Sequence, residues 1–569
     1  MSSSRRTFLK TATLASAGIV GSSLLPSQRL GAAVPPNRSG AGRAAATTLR
    51  IPPTLTSNVL RGAPTTAQIF GGAETAIYGL NGGYLGPTIE LDRGDEFVVR
   101  MENGLPDEDL ILHWHGLLAP SEMDGHPHQA VGPGEHYDYR YRVNQRAATY
   151  WYHPHTDELT GPQVYKGMAG LYIVHDEEER ALPIPHGAYD IPLVLQDRRV
   201  SENNELIYEL TPIEIMRGWQ GDTILTNGVP EAELDVERTR YRFRLLNGAN
   251  ARVFRIGLSD DRTFQLIANG GGLLEAPIEL NALFLPPGDR AEILVDFSSE
   301  TEGEAIDLLS LEFFEEFTPG SRQGNPARLL RCNVGGTGPT PPALPQTLSS
   351  IPRLRAEDAL RSRALRLHMF EGKHAINDKI FSPMRIDFRV PKDDLEIWEF
   401  TNPTQVLHPM HVHGVQFQVL DRNNDPNDVW PEDTGWTDTV LLLPTSSARV
   451  LVRFSAHPGM FMLHCHNLEH EDDGMMMNFM VDEESGVDGR DTRRGDVLAV
   501  VPDGAGSFRA TFGATARERE ITVSDLNGRL VARQPVLPGS RSLRVSLPSA
   551  STGPLFVMLE HEGAKVMLP

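Results

Sequence analysis

The sequence predicts an all-β protein built from several sandwich or barrel domains, and three observations carry that prediction. The chain of 569 residues is rich in Gly (52) and Pro (42) and breaks into short alternating segments bounded by turn residues, the pattern of strands packed on one face. A strand-like segment ending in Asn recurs three times, at 98–103 (VVRMEN), 242–247 (RFRLLN) and 397–402 (IWEFTN). Each copy is followed tens of residues later by a second alternating strand, at 137–143, 290–297 and 448–454. A pattern met three times implies three related domains. The length agrees, since a chain of this size needs about three to four cores.

Taken in order, the chain opens on Ser4-Arg5-Arg6-Thr7-Phe8-Leu9-Lys10 and a mildly apolar run at 11–25. This resembles a twin-arginine export signal with cleavage near Gly31-Ala32-Ala33, so residues 1–33 are expected to be an address and not fold. The resemblance implies the twin-arginine machinery as a partner, export in the folded state, and a periplasmic, secreted or cell-surface location. No later run approaches the ~20 apolar residues of a membrane span. A Pro-, Ala- and Thr-rich linker or irregular first strand follows at 34–60, and the three domains are expected near 45–180, 188–340 and 350–484. A Gly-, Asp- and Arg-rich linker at 484–504 leads to 505–569, which alternates again and suits a small C-terminal β-sandwich. Its segment 524–531 (SDLNGRLV) resembles the sorting domains of type IX secretion cargo; a β appendage for surface or oligomer contacts is the other reading. The net charge of −22 argues against nucleic acid and anionic membrane surfaces as partners.

The chemistry is concentrated at 457–480 (HPGMFMLHCHNLEHEDDGMMMNFM), where His464, Cys465, His466, His470 and Met475 lie within twelve positions. Cys465 is one of two cysteines, so no disulfide framework accounts for it; Cys332 reads as a small buried hydrophobe. A Cys with two His and a weak Met is the soft ligand set of a blue-copper site. The segment supplies the Cys, one His and the Met, lacks one His, and has two to spare.

Three further motifs complete the picture: His113-Trp114-His115-Gly116, His153-Pro154-His155, and His408 with His411-Val412-His413-Gly414. The stretch 141–155 aligns without a gap with 452–466, which sets Pro154 opposite Cys465. No His occurs between His186 and His368, so the metal chemistry belongs to the outer domains and the middle one reads as a spacer. In a strand a His-x-His pair points to one side, with Cα atoms about 6.5–7 Å apart. Eight imidazoles from four such pairs exceed the four ligands of one zinc and suit three coppers with open positions for a small ligand. Cys465, facing the other way, would serve a separate copper with His408, His470 and Met475. The remaining histidines (His126, His128, His136, His175, His186, His368, His374, His457, His561) are read as surface or core residues.

With these residues in view, the chain resembles the three-domain multicopper oxidases of the laccase type, near the branch of copper-efflux oxidases, laccases and bilirubin-oxidase-like proteins. The similarity covers about 50–482 and rests on HWHG, HPH, HPMHVHG and HCHNLEHEDDGM. It implies cupredoxin-like Greek-key domains and four copper ions: type 1 on His408, Cys465, His470 and Met475, and type 2 on His113 and His411. The type 3 pair would take His115, His153 and His466 on one ion and His155, His413 and His464 on the other. It implies four one-electron oxidations of a phenolic or aromatic donor, or of a reduced metal ion, coupled to reduction of dioxygen to two waters. Asp124 and Glu469 resemble carboxylates that relay protons to the cluster, and Asp438 resembles one that orients a type 1 His and receives the donor's proton. The region 346–390 holds only Met369 and Met384, which departs from the Met-rich insertion of cuprous oxidases. A thioether at Met475 implies a low-to-middle potential. The stretch 311–317 is a candidate border of the donor site. A cell-division relative that lacks the ligands is the non-enzyme alternative; the full ligand set argues against it.

Overall fold

The computed structural model describes residues 47–313 and 321–483 in full, and further on the backbone of strands between Ala499 and Leu568. The twin-arginine segment 1–33, and the 311–317 stretch beyond 313, lie outside the described residues. The chain divides into two compact units at Glu483/Glu484. The regular structure of the first is predominantly strand, with short helices of six residues or fewer. Among the described residues no helix is long and apolar enough to cross a membrane.

The first unit contains three pairs of sheets, each formed by one continuous stretch of chain. Their cores are separate, around Trp114 and Tyr139, around Phe243 and Ile293, and around Trp398 and Phe461. Cys332 sits in the middle core, and burial pushes its thiol well up. The second unit carries a three-stranded and a four-stranded antiparallel sheet.

The Asn-ending segments are the strands Glu96–Asn103, Arg240–Asn247 and Leu395–Asn402. Each has a parallel partner on one side, namely Val59–Ala67, Asp190–Arg198 and Arg361–Phe370. Each has an antiparallel partner on the other: His136–Arg142, Arg290–Asp296 and Ser446–Arg453. The reason for the terminal Asn is the same in all three. Its side-chain Nδ2 donates to two backbone carbonyls, and its Oδ1 accepts the N–H two residues on, as an Asx turn does. The side chain thereby turns the backbone sharply out of the strand and satisfies the buried carbonyls of the next loop.

The strands that matter for the site occupy aligned positions in the outer sheet pairs. Ala148–Pro154 and Gly459–Cys465 begin and end at the same places in the aligned repeat. Leu112–His115 pairs with the former so that His113 opposes His153, and His408–Val412 pairs with the latter so that His411 opposes His464. Residues directly opposite in an antiparallel pair hold their Cβ atoms about 4.5–5.5 Å apart, so register alone brings each pair of His-x-His motifs together.

Candidate metal centre

All ten histidines of the four motifs are buried, at 1% exposure or less, although most lie hundreds of residues apart in sequence. Eight of them form one cluster where the first and third sheet pairs meet. His115 stacks on His411 with ring centroids 3.7 Å apart, and His113 stacks on His413 at 3.8 Å. The Nε2 atoms of His155 and His413 lie 3.3 and 3.0 Å from Nε2 of His464. His466 stands 4.9 Å from His115 and 5.2 Å from His153, centroid to centroid.

Five of the eight rings have one nitrogen held by the protein and the other turned to the centre. His113 Nδ1 donates to the Asp124 carbonyl (2.7 Å), His153 Nδ1 to the Pro154 carbonyl (2.7 Å) and His411 Nδ1 to the Asp438 carbonyl (2.9 Å). His413 Nδ1 donates to Asp124 Oδ2 (2.7 Å) and His115 Nε2 to Asp438 Oδ1 (3.0 Å). Correspondingly, His113 Nε2, His115 Nδ1, His153 Nε2, His411 Nε2 and both nitrogens of His466 have no protein partner. Buried polar atoms left this way cost roughly 1–3 kcal/mol each, a cost a metal would remove. Burial, followed by the neighbouring rings, drives His113, His115, His155, His413 and His466 well below the usual imidazole value; burial brings His464 to about 3. Neutral imidazole is the form that binds a metal. The donor set fits transition-metal ions.

Cys465 faces the third core with Met475, on the side opposite its neighbours His464 and His466, as strand alternation requires. Its Sγ lies 3.4 Å from His408 Nδ1 and 3.6 Å from His470 Nδ1, and those two nitrogens are 3.2 Å apart. The backbone ties Met475 in, since its carbonyl accepts the Cys465 N–H at 3.1 Å. His408 Nε2 donates to Thr404 Oγ1 (3.0 Å), whose hydroxyl donates to Asn402, the Asn that ends the third repeated strand. His470 Nε2 donates to the Met216 carbonyl (3.0 Å), on the helix Pro212–Arg217. His374, read from sequence as an ordinary core residue, stacks on His470 at 4.1 Å and is pinned by Asp473.

The carboxylates fall differently from the sequence reading. Asp438 touches no ligand of the Cys465 group; it is fully buried against His115 and His411 and paired with Arg290 (2.6 Å). Arg290 outweighs the burial penalty and holds its carboxyl well below the usual range. The residue at His408 is Thr404 instead. Glu469 also lies off the cluster: it accepts from Tyr208 OH (2.7 Å), Asn250 Nδ2 (2.9 Å) and the Trp219 N–H (2.8 Å), and burial pushes it up to about 7. Glu471 takes the expected place, with Oε2 2.9 Å from His464 Nδ1 and Oε1 3.5 Å from His155 Nδ1. Burial pushes it up to about 8. The cause is helical: residues two apart on Leu468–Asp472 point about 200° apart, so one glutamate faces the middle sheets and the other the cluster. Asp124 lies against His113 and His413, with burial raising its carboxyl well above normal.

Family models described as multicopper oxidase match residues 63–179 and 351–485. The chain is 31% identical to a laccase of Bacillus subtilis over 472 residues, covering 71% of this chain and 89% of that one. It is 36% identical to the cell division protein FtsP of Xenorhabdus nematophila over 375 residues, 64% of this chain and 76% of that one. The crystal structure of the McoA multicopper oxidase of Aquifex aeolicus superposes with a TM-score of 0.70 at 35% identity, covering 77% of this chain and 99% of that chain.

Proposed function

The chain belongs to the multicopper oxidases, enzymes that oxidise small-molecule or metal-ion donors with oxygen as acceptor, and on that premise we propose that it is a four-copper, laccase-like oxidase of phenolic or aromatic donors. Bound copper supplies one-electron transfer and oxygen reduction; the chain supplies the rest. His408, Cys465, His470 and Met475 would hold the ion that meets the donor. His113 and His411 would hold the type 2 ion. His115, His153 and His466, and His155, His413 and His464, would hold the type 3 pair. The observation that carries this reading is the strand Gly459–Cys465, which turns Cys465 into the core beside His408 and His470 while His464 faces the eight-imidazole cluster. Backbone bonds alone therefore join the two ligand groups.

Around that frame the side chains hold and move protons. Thr404, the Met216 carbonyl and Asp438 fix imidazole tautomers. Glu471, protonated near neutral pH, is placed to deliver protons on the His464 and His155 side, and Asp124 on the His113 and His413 side. An aromatic donor suits the exposed Leu210, Ile213 and Met216 beside the carbonyl that holds His470. A second reading, oxidation of cuprous or ferrous ions, is favoured by thioethers: Met216 is exposed there, and exposed Met369 pairs in register with His374, the ring stacked on His470. We further propose the export route and C-terminal sorting role described from sequence.

The copper-loaded protein should be intensely blue, and Cys465→Ser should abolish colour and oxidase activity together; an active serine variant would refute the reading. Phenol oxidation without added copper supports the laccase-like donor. A strict requirement for excess copper would select the metal-ion reading.

A further inference from the structure

The lining of one cavity runs against the charge of the whole protein. It encloses about 400 Å³ among the loops after His136–Arg142, the turn after His413, and the segment before Arg361–Phe370. Three arginines, Arg93, Arg146 and Arg453, line it, and no Asp or Glu does. The chain as a whole carries 75 acidic and 53 basic residues, so an all-cationic lining is not what the average surface would give.

Its wall contains buried polar groups with no partner. Gln145 is 5% exposed, and neither its Nε2 nor its Oε1 has a partner. Arg146 uses Nη2 on the Leu273 carbonyl and Ser349 Oγ, while its Nη1 has none. Leaving such donors empty in a buried place is costly, and the guanidinium and amide are ordinary partners of a carboxylate. The rest of the wall sets apolar Leu354, Val415 and Trp436 among Asn144, Gln416 and Ser455, and a cavity of this size and mixed lining suits one small organic molecule. The pocket lies on the side of the cluster away from the Cys465 group: Gln416, in its wall, donates to Asp438 Oδ2 at 2.8 Å, and Asp438 holds His115.

We propose that this cavity is a binding site for a small organic anion with an apolar body, of the aromatic carboxylate class, distinct from the donor site. Arg93, Arg146 and Arg453 supply the positive charge that draws the carboxylate, and the ring lies against Trp436 and Leu354.

Calorimetric titration of the copper-loaded full chain with benzoate tests this. One molecule should bind per chain, with benzyl alcohol weaker by about tenfold or more, the worth of one charge-assisted hydrogen bond, and acetate weaker by about tenfold or more for want of the ring's apolar burial. Arg146→Gln should weaken benzoate by about tenfold. Because Arg146 also braces Ser349, Arg453→Gln serves as the second variant: it is exposed, should leave phenol oxidation unchanged, and should weaken benzoate by a few fold, an effect that salt removes. Absence of benzoate binding, equal binding of benzyl alcohol, or undiminished binding in both variants would overturn the proposal; the last would place the anion elsewhere, as on the copper ions.

Discussion

Glu471 Oε2 lies 2.9 Å from His464 Nδ1, and both side chains are wholly buried. The contact leaves His464 Nε2 turned toward His155 and His413. A carboxyl pushed by burial to about 8 still carries its proton at neutral pH. Glu471→Gln keeps the shape and removes the exchangeable proton, so oxygen uptake should fall by ~10²-fold or more while the blue absorbance stays. Glu469→Gln should behave oppositely. It weakens the hydrogen bonds to Tyr208, Asn250 and Trp219 and should cost ~1–3 kcal/mol of stability, with turnover little changed. An oxygen electrode and a thermal melt on each variant decide it; a Glu469 variant as slow as the Glu471 variant would reverse the assignment.

Why the sequence pointed to the wrong glutamate shows what sequence can carry. Strand periodicity is two, so His-x-His and His-Cys-His reveal at once which side chains share a face, and the aligned repeat reveals which strands are equivalent. The internal Asn could be seen to end each strand, and the structure gives its reason in three matching Asx turns. The short helix Leu468–Asp472 offered no such pattern, because one turn and a half is too short to display a period. For Asp438 and His374 the missing information is of a different kind. Their partners, Arg290 and His470, come from other elements, and nothing in the spacing of 290 and 438 or of 374 and 470 announces contact.

Thr404 connects a fold feature to a proposed metal ligand. Its hydroxyl donates to Asn402 Oδ1 and accepts from His408 Nε2 at 3.0 Å, which leaves His408 Nδ1 free toward Cys465. Thr404→Val conserves volume and removes both bonds. Losing an orienting partner of a ligating imidazole typically costs ~10–100-fold in metal affinity, so the blue band should bleach at correspondingly lower chelator concentration. Trinuclear copper, followed by the near-ultraviolet band, should resist as in the parent. Equal bleaching of both would show that Thr404 braces the fold and not the ligand.

Among the described residues, Asp438 is the side chain that binds cluster imidazoles and a buried cation together. Asp438→Asn leaves the Arg290 guanidinium, fully buried, without its counter-charge. Uncompensated buried charges cost ~3–5 kcal/mol. We expect a clear fall in melting temperature, and fewer coppers per chain by atomic absorption, with the blue band of the Cys465 site retained. Full copper content at parental stability would argue that Arg290 is satisfied by the Thr149, Gly270 and Gly288 carbonyls alone.

Glu179, Glu292 and Asp190 meet Arg242 and Arg244 in a buried network that joins the helix Glu177–Arg180 to the middle sheets. Burial opposes the ionised forms, but the two guanidiniums, aided by His175 at Glu179 and Thr149 at Glu292, outweigh it and hold Glu179 and Glu292 below 4.5. The sign follows. A carboxylate whose value is lowered on folding contributes stability that is present above its ordinary value and lost as pH falls through the lowered one. Copper-free protein should therefore lose denaturant resistance as pH falls below about 4.5. Arg244→Met strands these carboxylates and should cost ~3–5 kcal/mol at pH 7. Acid protonates the stranded groups first in the variant, so the difference between variant and parent should shrink by more than half near pH 3. Urea midpoints for both proteins across this range make the comparison, and a difference that stays constant with pH would mean that Arg244 acts through packing and not through charge.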